Sequence, residues 1–147
     1  MTDPIRIIRF VIVMGLLSFE AVIDLKRREI NIVFPIITGV FSVIFMLLSD
    51  DVPFLSSLIG LAEGVLLIAL SFITDGQIGS GDGIILAATG LMLGWKDNLI
   101  MFFFSCLISA FVAIGLMGIK KADKKTKIPF IPFMVPGFFL SVFLMIF

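Results

Sequence analysis

The chain has 147 residues, 60% of them hydrophobic, with 17 phenylalanines and a mean hydropathy of +1.23, which is far more apolar than a soluble domain of this size. Its 11 basic and 11 acidic residues cancel, so net charge points to neither nucleic acid nor an acidic partner. With no histidine, a Ser-His-Asp triad and a His/Cys zinc site are excluded; the single cysteine, Cys106, cannot form an internal disulfide and is expected to be a small core residue.

The first apolar run extends from Pro4 to about Leu25. It is too long, and too poor in small-residue cleavage sites, for a removable signal peptide, and it reads as a transmembrane helix. Further spans are predicted over Ile30–Ser49, Pro53–Thr74, Asn98–Ile119 and Pro129–Phe147, each near the ~20 residues that a bilayer core requires. Between the third and fifth lies a polar stretch, Thr74-Asp75-Gly76-Gln77-Ile78-Gly79-Ser80-Gly81-Asp82-Gly83. Its glycines remove side-chain bulk and permit positive φ, so that backbone or substrate can approach Asp82 closely; Gly and Asp are also ordinary turn residues. The run that follows, Gly83 to Trp95, would rise only about 20 Å as a helix against a ~30 Å hydrocarbon core. If its far end reaches the opposite interface, Asp82 is recessed, and non-helical backbone survives at that depth only against protein or a watery cavity. The predicted fold is an all-α membrane protein of six transmembrane helices in one domain, 1–147, with helix four short and preceded by a Gly-rich recessed loop.

Basic residues orient this bundle. The connections between spans one and two, three and four, and five and six share a face and carry Lys26, Arg27, Arg28, Lys120, Lys121, Lys124, Lys125 and Lys127; the other face has Arg6, Arg9 and Lys96. The positive-inside rule then puts both termini outside and the Asp24 and Asp82 ends at the cytoplasmic side. The 120–127 segment reads as a topology determinant, with contact to anionic lipid as a secondary role.

Ionisable groups within spans are functional or paired by default, and here they are Glu20, Asp24, Glu63 and Asp82. Glu20 and Asp24 share a helical face, and Asp24 also precedes Arg27 and Arg28 at ion-pair spacing. Glu63 must face the bundle interior or a cavity. A chain without histidine, activated thiol or metal motif retains one hydrolytic option, a pair of carboxylates close enough to share a proton, one activating water and one polarising the scissile carbonyl. That option requires the ends of helices one and four to be neighbours.

Asp24-Leu25-Lys26-Arg27-Arg28-Glu29-Ile30-Asn31 resembles the first aspartate motif of type IV prepilin peptidases, an Asp followed by basic residues and Ile-Pro-Asn. Gly79-Ser80-Gly81-Asp82 resembles that family's Gly-x-Gly-Asp motif, Ala87, Gly90 and Gly94 fall where it has small residues, and Ile128-Pro129-Phe130-Ile131-Pro132-Phe133 is similar to its late proline segment. Two departures stand out: Ile84 occupies the place of a lysine, and no proline separates Ile30 from Asn31. The resemblance implies that Asp24 and Asp82 are catalytic, that no metal or organic cofactor takes part, and that the partner is a prepilin-like protein with a basic leader and a hydrophobic segment, cut after a glycine at the cytoplasmic face of the cell membrane. The chain lacks the amino-terminal extension and paired cysteines of the long, methylating forms and so resembles the short forms acting on tight-adherence pilins or archaeal preflagellins. A transporter using Glu20, Asp24, Glu63 and Asp82 as a relay stays open as an alternative. So does a non-catalytic assembly subunit of a pilus or secretion machine.

Overall fold

The computed structural model describes residues 4–27, 29–119 and 128–146. Arg28, the lysine-rich 120–127 connection and the end of the last predicted span at Phe147 lie outside the described residues. The described chain is all helical: α1 (Pro4–Arg27), α2 (Val33–Leu48), α3 (Phe54–Ile73), α4 (Ser80–Leu93), α5 (Trp95–Gly118) and α6 (Ile131–Ile146). By length and composition α3 and α5 are able to cross a membrane, whereas α2, α4 and α6 are shorter apolar helices.

The short helix is the centre of the bundle. α4 packs against α1, α2, α3 and α5, while α6 closes the far side against α1 and α5. Its buried residues, among them Gly83, Ile85, Leu86, Ala88, Thr89, Gly90, Met92 and Leu93, cover more than half of its circumference, and Ile84, Ala87 and Leu91 on the remaining side are half-buried, so that no face of this stretch is fully exposed. Contact with α3 is made backbone to backbone. A Cβ on Gly60 would stand 2.4 Å from the Gly90 carbonyl oxygen, one on Gly64 2.2 Å from the Ala87 nitrogen, and one on Gly83 2.6 Å from Ile68 Cγ1. This is the small-residue packing by which apolar helices approach closely when no water is present to drive them together.

α2 begins at Val33 instead of Ile30, leaving residues 30–32 outside it, and two later junctions also differ from the sequence expectation. α4 begins at Ser80 instead of Gly83, so Asp82 belongs to its first turn. α5 begins at Trp95 instead of Asn98, so Lys96 and Asp97, expected to lie in a connection, are helical. The reason for the second is Gly94: at φ 81° it reverses the chain in one residue, with its Cα so close to Ser56 that a Cβ would lie 2.5 Å from the hydroxyl. Asp75 and Gly76, both at positive φ, end α3, and the Gly76 N–H donates to the Ser71 carbonyl at 2.8 Å.

At the end of α4 remote from Asp82, Arg9 is buried and divides its guanidinium between the Met92 carbonyl (3.0 Å) and Asp51 (2.9 Å), with Phe45 below it. Asp51 in turn accepts from the Ser49 hydroxyl. Arg9 is therefore more than an outward-facing topology residue. It ties α1 to the α2–α3 connection and to the carbonyl end of α4, where a cation is favoured by the helix dipole.

Because the α3–α4 contact leaves no room for a methyl group, Gly64→Ala should destabilise the fold by about 1–3 kcal/mol. Thermal unfolding of the purified protein in detergent checks this, and Gly115→Ala, where a Cβ meets nothing within 4 Å, is the matched comparison expected to leave the midpoint unchanged.

Candidate active site

Asp82 is placed by the turn that starts α4. Gly79 occupies the N-cap position, and the Asp82 side chain folds back over it: a Cβ at 79 would lie 2.7 Å from Asp82 Oδ2. Gly81 presents its bare Cα to Ile30, whose Cγ2 would stand 3.0 Å from an added Cβ. The glycines of the motif thus seat the carboxylate and admit the α1–α2 connection beside it. A carboxylate in a first turn is also favoured by the exposed N–H groups there.

Asp24 stands in the last turn of α1, 9% exposed, and meets the start of α6. The Ile131 backbone N–H, at the first position of that helix, donates to Asp24 Oδ2 at 3.3 Å. The proline segment therefore has a mechanical role: it starts a helix whose amino end holds the first aspartate.

Asp24 and Asp82, on different helices, line one cavity of about 1160 Å³. They are close enough for their charges to act on each other. The walls are Ile30 and Glu29 from the α1–α2 connection, the 76–81 turn, Leu67 of α3, Phe102 and Cys106 of α5, and 128–131 at the start of α6. Phe102 and Phe130 meet edge to face at 5.9 Å on the apolar side. The chamber has room for an extended peptide with an apolar flank, with both carboxylates at its wall. Among the described residues no group of three or more Asp, Glu or Cys gathers as a metal site would require.

Polar residues that do not reach the cavity brace it. Glu63 Oε2 accepts from Asn98 Nδ2 at 2.7 Å, and Asn98 Oδ1 accepts from the Thr89 hydroxyl at 2.7 Å, joining α3, α5 and α4 through one buried amide. Asn98 also donates to the Leu86 carbonyl at 3.2 Å. Glu63 faces the interior, as expected. Sequence reading placed Asn98 at the start of the fifth span and gave it no role; the signal was an amide at the edge of a long apolar run. Cys106 was expected in the core but is exposed and lines the cavity. α5 is apolar on every side, so its sequence holds no cue to which face meets the chamber. Ile84, two residues beyond Asp82, lies about 200° round the helix from it, away from the cavity wall.

The sequence profile of the type IV leader peptidase family matches residues 10–114, a stretch that contains both aspartates. The chain is 31% identical over 144 residues to a prepilin leader peptidase/N-methyltransferase of Bacillus subtilis, covering 85% of this chain and 58% of that protein. It is also 31% identical over 120 residues to the protein of that description from Aeromonas hydrophila, covering 76% of this chain and 41% of that one. The chain thus spans roughly half the length of these relatives. No solved structure matches it.

The shared cavity predicts that cysteines replacing Asp24 and Asp82, in a Cys106→Ser background, will be joined by a short bifunctional thiol reagent. The change in gel mobility should appear for the pair and for neither cysteine alone.

Proposed function

The chain belongs to the type IV leader peptidase family, and on that premise we propose that it is an aspartyl endopeptidase that removes the leader of a prepilin-like protein. The observation that carries this reading is the convergence of Asp24 and Asp82 on one cavity. One carboxylate takes a proton from water as the oxygen attacks the scissile carbonyl, and the other gives its proton to the carbonyl oxygen. The tetrahedral diol then collapses as a proton passes to the departing amine, and the new carboxyl stays on the leader. The Ile131 N–H fixes one oxygen of Asp24 and so sets which face it presents. No step needs a metal or organic cofactor.

The substrate class follows from the chamber. Its apolar wall of Leu67, Phe102 and Phe130 suits a hydrophobic segment, and the carboxylates Asp24, Glu29 and Asp82 that line it suit a basic leader. In this reading six helices cross the cell membrane with both termini outside, and the cavity faces the cytoplasm, where the basic leader emerges. Among the carboxylates that a transporter relay would need, Glu63 is engaged by Asn98 and Glu20 by Asn31, off the cavity. That arrangement suits bracing more than transport.

The test is direct cleavage. Purified protein in lipid vesicles, given a synthetic substrate with a basic leader, a glycine and a hydrophobic helix, should release the leader, and mass spectrometry should locate the cut after the glycine. Intact substrate under conditions where the folded protein is verified would overturn the proposal, as would a cut elsewhere.

A further inference from the structure

Glu20 has no part in the chemistry above, yet its side chain is fully enclosed, at 0% exposure. It stands one helical turn before Asp24, on the same side of α1. Oε2 accepts the Asn31 backbone N–H at 3.0 Å, while Oε1 is buried with no hydrogen-bond partner among the described residues. An enclosed carboxylate with so little compensation is costly, so what it holds in place is informative.

What it holds is the α1–α2 connection. Residues 29–31 are non-helical and lack a ladder of their own. Two contacts fix the connection. Asn31 receives Glu20 at its N–H and uses its own Oδ1 to accept from the Val33 N–H at 3.1 Å, which starts α2. Ile30, the preceding residue, lies against Gly81 and lines the cavity with Glu29, one residue from Asp82 in the opposing motif. Releasing the Asn31 N–H frees the connection at the point where it forms the chamber wall.

We propose that Glu20 is a positioning residue: by accepting the Asn31 N–H it pins the α1–α2 connection, so that Ile30 seals the cavity against Gly81 beside Asp82. The effect on turnover rests on the leader-peptidase reading. The effect on geometry does not. Gln keeps an accepting oxygen, whereas Met fills the volume without one, so the two substitutions separate acceptance of the N–H from charge.

Two measurements test the proposal. In a Cys106→Ser background, Ile30→Cys with Gly81→Cys places a thiol on each side of the contact, and the rate of disulfide formation reports their approach. That rate should stay within about threefold of the parent with Glu20→Gln and fall about tenfold with Glu20→Met, the scale of losing one charge-assisted hydrogen bond. In steady-state cleavage, with Ile30 and Gly81 intact, Glu20→Met should raise KM by a similar factor with little change in kcat, and Glu20→Gln should restore it. Ile30→Ala leaves Glu20 untouched and should raise KM likewise, so a kinetically silent Ile30→Ala overturns the proposal even if Glu20→Met fails to accumulate. Equal disulfide rates in all three backgrounds would also overturn it. So would a Glu20→Gln protein with kcat as impaired as that of Glu20→Met, which would mark a proton-carrying role instead. Disulfide rates in the expected order, in a chain that cleaves no prepilin-like substrate, would remove the peptidase reading and leave Glu20's hold on the connection intact.

Discussion

The structure depends on backbone contact between α3 and α4. Without side chains at Gly60, Gly64, Gly83 and Gly90, two apolar helices touch along their length, and a helix of only 14 residues becomes the axis on which α1, α2 and α5 pack. In a low-dielectric setting apolar helices gain little from burying more apolar surface against each other, so dispersion at short range and shared hydrogen bonds must hold them. The Glu63–Asn98–Thr89 chain supplies the second component, where α5 joins α3 and α4. Because α4 cannot slide without forcing backbone against backbone, Asp82 in its first turn has a fixed position. Rigidity below and a carboxylate above are one design.

Charge is handled differently at the two ends of α4. At its carbonyl end, Arg9 is matched by Asp51 and the Met92 carbonyl, an arrangement in which removing one partner strands the other and costs about 3–5 kcal/mol. At its amino end, Asp82 and Asp24 are like charges brought together around a cavity, with Glu20 enclosed one turn below Asp24. Like charges gathered in a poorly solvated chamber are unfavourable for folding. The fold accepts that cost where the carboxylates face the chamber and offsets it with the amino ends of α4 and α6. The ion pair and the two cavity carboxylates are thus kept a helix length apart.

Much of this was legible in the sequence. Six apolar runs mapped onto six helices, because apolar segments of that length with so few charges have few alternatives. Asp24 and Asp82 stood out as carboxylates at the ends of such runs, and the shortness of the fourth run pointed to a cleft. What the sequence did not give was register. α4 starting at Ser80 and α5 at Trp95 depend on how Gly79 and Gly94 pack, and Gly94 needs Ser56 beside it to fix its turn. Asn98 was passed over as the polar start of the fifth span, because its enclosure depends on α3 and α4 packing against it. Cys106 lining the cavity was not foreseeable, because α5 is apolar on every face and only the placement of α6 decides which face meets the chamber. Arg9 was read by its charge alone, and its burial depends on Asp51, which lies in a connection more than forty residues away.

Whether Asp24 and Asp82 act as one unit is decided by substitution with Asn, which keeps the shape of the side chain and removes the exchangeable proton. Leader cleavage by Asp24→Asn, by Asp82→Asn and by the double variant should be measured at equal abundance of folded protein. Each single change should abolish cleavage and the double change should be no worse than either, because groups that share one function are lost together. Cleavage at the normal rate by either single variant would contradict a shared function.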